Sequence, residues 1–218
     1  MNYKHFSHIY TNERDFQREK MQYFFDKSFR EKNENLLRTQ YINLRQLQFC
    51  DDLTFEPECV EISSLAENIT IACDILSCDS GISFVYCGYG THYINGNARL
   101  FSRALLNLLS NAYLYGKENL VTVKAFETGD FCGIEVLSGG SFIENHHSQK
   151  GLPFVRNICK SMNGNLFIEQ SLSHTKAVIL FPKAQKIETT SPDNITVSNL
   201  IYNKLSPVCV EMFGMEYH

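Results

Sequence analysis

The stretch 104–116, ALLNLLSNAYLYG, constrains this chain more than any other part of it. Leu105, Leu106, Leu108, Leu109 and Ala112 are dense enough to require burial, and Arg103 stands just ahead of them. Asn107 and Asn111 are four residues apart, so on a helix they project from one face, one turn above the other. A buried carboxamide has to be hydrogen-bonded or bound, because leaving it bare costs about 1–3 kcal/mol. Two readings follow. Either the amides satisfy nearby backbone groups, or one of them offers its oxygen, a hard donor, to a magnesium ion.

The chain around that helix divides into three zones, expected as a helical dimerisation-like segment (1–53), an α+β domain (54–182) and a linker with a C-terminal tail (183–218). In the first zone Leu37, Tyr41, Leu44 and Gln48 recur at helical spacing, with Gln40 and Leu47 beside them. Phe16, Tyr23, Phe24 and Phe25 suggest an earlier helix, with a break near residues 32–35. Two such helices with no other core need a partner surface. In the second zone Pro57 marks an extended segment, and Ser64-Leu-Ala-Glu67 reads as a capping box opening a helix to about Leu76. Residues 82–87 and 92–94 read as strands around a Gly88/Gly90 turn, and the asparagine-bearing helix is predicted over 98–115. Residues 120–126 and 131–137 alternate as a hairpin around Thr128-Gly129-Asp130. A helix over 152–162 stops at Asn163-Gly164 and leads to a last strand pair. The order αββαββαββ with antiparallel patterning predicts a two-layer α/β sandwich of the α+β class. Residues 183–194 are linker-like, and 197–210 regain apolar residues that suit packing back on the domain.

Composition excludes several functions. With 218 residues and 44% hydrophobic content, the chain can bury one good core. A net charge of −4 gives no electrostatic case for nucleic acid or an anionic membrane face. No apolar run approaches the ~20 residues of a membrane span, and the polar residues 1–30 do not read as a signal peptide. The eight cysteines form no C-x-x-C pair and no zinc-like cluster with histidine, so reduced thiols and a cytoplasmic location are expected.

Asn107-Leu-Leu-Ser-Asn111-Ala-Tyr-Leu-Tyr115 resembles the N box of sensor histidine kinases and their GHKL ATPase relatives, N-L-L-x-N-A-x-(K/R)-Y. Asn95-Gly96-Asn97 resembles the approach to that box, and Ile134–Ile143, which includes Ser138, Gly139 and Gly140, resembles V-x-D-N-G-x-G-I. Gly151-Leu-Pro-Phe-Val155-Arg-Asn-Ile158 leading to Asn163-Gly164 resembles G-L-x-(I/L)-V-x-x-I before H-G-G, and 165–182 resembles the closing hairpin. The resemblance runs in order from about residue 33 to 182. It implies a histidine-kinase-like ATPase (Bergerat-type) fold behind a dimerisation helix, and a homodimer made through residues 13–52 with a protein signalling partner, a response regulator or kinase. It also implies ATP and Mg²⁺ as ligands, with Asn107, Asn111, Ser138, Gly140 and Gly151 around the nucleotide and Asn111 on the metal.

Several positions depart from the family pattern. Ser138 stands at the adenine-binding aspartate, and a neutral hydroxyl makes a hydrogen bond about half as strong as a carboxylate's. Phe142 replaces a glycine, Gln149 another, and Leu114 a basic residue, with Lys117 one turn on. Only Glu-Asn-His-His-Ser-Gln-Lys separates Ile143 from Gly151, and these seven residues reach roughly 25 Å fully extended, a fraction of the family's lid. The adjacent His146 and His147 suit a solvated loop better than a shared metal. His8, in Ser7-His8-Ile-Tyr-Thr-Asn12, matches the phosphoacceptor motif only partly, lacking the following acid and the proline. The expectation is therefore a degenerate, pseudokinase-like member acting by protein binding. The alternatives are an active ATP-dependent kinase and an anti-sigma-type partner-binding switch.

Overall fold

The computed structural model describes residues 53–116, 118–140, 151–184, 195–203 and 206–215. The dimerisation-like segment up to residue 52 with His8, Lys117, the 141–150 loop with Phe142 and Gln149, and the linker over 185–194 lie outside the described residues. In chain order the elements are β1 (Glu58–Glu61), α1 (Ile62–Leu76), β2 (Ser83–Tyr86), β3 (Tyr93–Gly96) and α2 (Ala98–Tyr115). Then come β4 (Leu120–Thr128), β5 (Phe131–Gly139), α3 (Gly151–Ser161), β6 (Asn165–Gln170), β7 (His174–Pro182), α4 (Val197–Tyr202) and α5 (Pro207–Met215).

Helix α2 begins and ends where local sequence dictates. The Asn97 side chain accepts a hydrogen bond from the Leu100 N–H, satisfying one of the orphan donors of the first turn. Gly116 follows the last turn and donates its N–H to the Ala112 carbonyl. Every residue from Leu100 to Ala112 is buried, as expected of a helix enclosed on all sides. The sheet lies beneath it, α1 and α3 flank it, and α5 packs over it.

The main sheet has the order β2-β4-β5-β7-β6. The pairs β4–β5, β5–β7 and β6–β7 are antiparallel. One face carries Val121, Val123, Ala125, Ile134, Val136, Ala177, Ile179 and Phe181 into the core beneath the helices. The other face is more open and bears the diagonal Lys176–Glu135 ion pair at 3.1 Å. This two-layer α+β sandwich is the predicted class. The antiparallel expectation fails at one edge, where β2 pairs with β4 in parallel. The chain between them contains α2, and a parallel pairing needs a crossover of that length.

One local expectation, the start of the first helix, differs from what is observed, while the extended segment after Pro57 and the apolar C-terminal segment take the form expected of them. Helix α1 starts at Ile62, before the Ser64–Glu67 capping box, and its N-cap Glu61 makes no side-chain capping bond. Its N-terminus is instead held by tertiary contacts, with Ile62 N–H donating to the His92 carbonyl and Ser63 Oγ accepting from His92 N–H. The extended segment after Pro57 is a strand, β1, which pairs with β3 in a small second sheet. The C-terminal segment forms α4 and α5, which dock on α1 and α2. Asn68 Nδ2 donates to the Ile195 carbonyl at 2.8 Å, and Ser206 Oγ to the Leu200 carbonyl at 2.5 Å.

Candidate functional site

Helix α2 places Asn107 and Asn111 on the face turned toward the start of α3. Both are buried, at 4% and 8% exposure. Asn107 Nδ2 donates back to the Arg103 carbonyl at 2.9 Å, four residues earlier. Asn111 Nδ2 is buried and has no hydrogen-bond partner. Gly151, the first residue of α3, sits against both amides. A Cβ added there would lie 3.3 Å from Asn107 Oδ1 and 3.7–3.8 Å from the Asn111 amide atoms. Residues 44 positions apart are thus brought to one point, and a Cβ at Gly151 would be tight against Asn107 Oδ1 alone.

Ser138 lies near the end of β5, on the core face and opposite Thr175 of β7. It lines a cavity between α2 and the sheet together with Leu108, Asn111, Ala112, Val136 and Leu152, closed off by Ile168, Thr175 and Ala177. The cavity measures about 20 Å³. One water needs about 10–15 Å³ by the same measure, so this space holds a water and not a purine. None of its lining residues is charged. A larger depression, about 300 Å³, opens beside Ser138 with Thr122 and Leu137 of the outer sheet face, Glu118 and His174 among its walls.

Gly140 adopts φ +88°, the left-handed region that favours glycine. Its N–H donates to the Ser173 carbonyl at 2.7 Å, and its own carbonyl accepts from Thr175 Oγ1 at 3.0 Å. Both of its backbone groups are therefore engaged with the β6–β7 turn and β7. Arg103, one turn before Asn107, lays its guanidinium over the Phe154 ring at 4.6 Å. That cation–π contact ties α2 to α3.

Asn107, Asn111, Ser138, Gly140 and Gly151 thus come within one region at the junction of α2, α3 and the ends of β5 and β7. Asn107, Asn111 and Gly151 meet directly, Asn111 and Ser138 share a cavity, and Gly140 lies just beyond, bonded to Thr175. Sequence reasoning missed Thr175, Leu152 and Ile168 as walls of that cavity. The buried register of β7, with Thr175, Ala177, Ile179 and Phe181 alternating inward, carried the signal for Thr175.

No protein-family model matches the chain, and no curated protein matches it in sequence. Solved structures do match it in fold. The histidine kinase AdeS of Acinetobacter baumannii superposes with a TM-score of 0.53 at 14% identity, over 76% of this chain and 92% of that one. The ATP-binding domain of PrrB from Mycobacterium tuberculosis gives 0.52 at 20% identity, over 60% of this chain and all of that one. Full-length ShkA, solved with AMPPNP, gives 0.56 at 16% identity, over 74% of this chain and 39% of that one. The fold is that of the histidine-kinase ATP-binding domains, as the N-box resemblance implied.

Proposed function

We propose that this chain is a histidine-kinase-like protein of a two-component signalling lineage that has kept the ATPase scaffold without its nucleotide chemistry and acts by binding a protein partner. One observation carries this reading. Among the described residues, the cavity shared by α2 and the sheet measures about 20 Å³, is walled mainly by apolar side chains and has Ser138 where the family pattern calls for an acid. ATP and Mg²⁺ go with this fold, but the residues described here do not fit them. The cavity lacks the volume for adenine, a carboxylate for its amino group and a cation for the phosphates. Phosphoryl transfer depends on positioning and charge stabilisation, so no step of it is derived for this chain.

The competing reading, an active ATP-dependent kinase, has one observation in its favour. Asn111 keeps an unpartnered amide nitrogen beside Gly151, and a helix start of this kind is suited to an anion. Titration of the full chain with ATP, with and without Mg²⁺, separates the two by thermal shift. A real ligand at a hundred times its dissociation constant stabilises by about 2.7 kcal/mol. The expected outcome is no shift at millimolar ATP, and micromolar binding would overturn the proposal.

The remaining parts of the proposal concern segments outside the described residues. His8 lacks the motif of a phosphoacceptor and is proposed to carry no phosphate. Acid-labile phosphate mapped to His8 and lost in His8→Ala would refute that. Residues 13–52 are proposed to form a homodimer interface, with a response regulator or kinase as the further partner and the cytoplasm as location. Among the described residues no helix is long and apolar enough to cross a membrane. Light scattering should show a dimer for the full chain and a monomer for the chain starting at Thr54. Monomers in both cases would leave the stripe packed on its own domain.

A further inference from the structure

At the end of the sheet remote from Ser138, three side chains of different elements converge. Glu127 of β4 and Cys132 of β5 face each other directly across the hairpin, and His92 precedes β3. One ligand atom from each, a ring nitrogen, a thiol sulfur and a carboxylate oxygen, all lie within 4.8 Å of one another. Cys132 is six residues from Ser138 along β5, so the cluster is about 20 Å from the cavity beneath α2.

The histidine is set up as a ligand. Its Nε2 lies 3.1 Å from the Tyr89 carbonyl. A carbonyl can only accept, so Nε2 is the donor in this contact, and in the neutral ring Nδ1 is then the nitrogen with the lone pair. Nδ1 is buried and makes no hydrogen bond. A metal-bound histidine characteristically donates its second N–H in this way, which fixes both tautomer and ring. The ring's backbone is fixed as well, since His92 N–H donates to Ser63 Oγ and its carbonyl accepts from Ile62 N–H.

We propose that His92 Nδ1, Cys132 Sγ and a Glu127 carboxylate oxygen form a zinc site, with water completing the tetrahedron on the exposed Glu127 side. Thiolate, imidazole and carboxylate together suit Zn²⁺, which binds them at about 2.0–2.3 Å. Tetrahedral bonds of that length set nitrogen and sulfur about 3.6 Å apart, so closing the site requires contraction by at most roughly an ångström. Two changes accompany binding. Cys132 loses its thiol proton to solvent, as a metal-bound thiol does. Lys183, whose Nζ lies 2.5 Å from Glu127 Oε1, gives up that oxygen or leaves the metal the other one. Its side chain is 31% exposed and can turn to water. Burial and Glu127 push the Cys132 thiol up, and the Lys183 charge and the Tyr93 N–H oppose that push. A metal here would staple the β4–β5 hairpin to the segment that anchors the start of α1.

Cobalt(II) titration of the reduced full-length chain tests the site, with zinc displacing the cobalt. The expected result is one equivalent of tetrahedral cobalt with a thiolate charge-transfer band. Cys132→Ser should lose the band, and His92→Gln should weaken binding at least tenfold. Cys87→Ser should leave both unchanged, because that thiol is outside the cluster. Lys183→Met should tighten binding severalfold by removing the competing cation, an effect expected only if Glu127 ligates. At a hundredfold excess over its dissociation constant, zinc should raise the melting temperature by roughly 5–10 °C. Absence of a thiolate band at one equivalent, or the same band persisting in Cys132→Ser, would overturn the proposal. If Cys132→Ser does not fold, unchanged affinity in both His92→Gln and Lys183→Met would do so.

Discussion

Replacing Ser138 with aspartate restores the acid of the family pattern, and the structure predicts that it harms the protein without restoring nucleotide binding. Ser138 is 5% exposed and faces a cavity of about 20 Å³ whose walls are mainly leucine, valine, alanine and isoleucine. A carboxyl placed there loses its hydration, so its pKa rises from the ordinary value of about 3.9. A rise of about three units corresponds to roughly 4 kcal/mol of penalty on the charged form. Asn111 Nδ2 lines the same cavity without a partner, and a hydrogen bond to a charged group returns about 1.5–3 kcal/mol. The net expectation for Ser138→Asp at pH 8 is a loss of about 1–3 kcal/mol, or roughly 3–10 °C in melting temperature for a chain of this size. The pH dependence has a definite sign. With the folded-state pKa raised, the folded form holds its proton longer than the unfolded one. The penalty is therefore absent below about pH 4, grows as pH rises toward the folded pKa, and is constant above it. Thermal melts of the variant and the parent chain from pH 4 to 8 measure the difference directly, with ATP titration in parallel. A variant as stable as the parent at pH 8, or one that binds ATP at micromolar concentration, would refute the collapsed apolar cavity on which this reasoning rests.

Asn111→Leu should be neutral or stabilising by up to about 1 kcal/mol, because it removes a buried amide nitrogen that has no partner; a loss above 1 kcal/mol in urea unfolding would mean the amide is bound to something. Gly164→Ala should destabilise by about 1–3 kcal/mol, since an added Cβ would fall 2.2 Å from the Leu180 carbonyl oxygen and 2.6 Å from the Phe181 ring; a melting temperature within 1 °C of the parent would contradict that packing. Alkylation at pH 8 followed by mass mapping should mark Cys87 first among the described thiols, as the exposed one. Burial pushes the Cys159 thiol up to about 12, so about one molecule in ten thousand presents its thiolate at that pH, and its labelling should accelerate only as the pH is raised or the protein unfolds. Cys159 labelling as fast as Cys87 would show that α3 does not seal its core face.

The sequence by itself determined the elements whose signals are local. Asn97 and Gly116 bracket α2 from within the segment, and the hairpin around Gly129 forms from neighbouring alternating runs. The Asn107/Asn111 spacing placed both amides on one face, and the N-box pattern pointed to the fold that the solved structures share. Tertiary structure decided what depends on distant partners. β1 is four residues of Glu-Cys-Val-Glu, too short to declare a strand until β3 pairs with it. The parallel β2–β4 pairing depends on a crossover through α2, and α1 begins at Ile62 because His92, thirty residues on, satisfies its first donor. Linear spacing showed no metal-like cluster of cysteine and histidine, yet strand register sets Cys132 against Glu127 and the β3 approach brings His92 to both. The closeness of Ser138 to Asn111 also comes from packing, and so does the 20 Å³ left between them. Capping and alternation act over a few residues and can be read from the chain, whereas the volume of a cavity and the meeting of three ligand atoms are set by how whole elements pack.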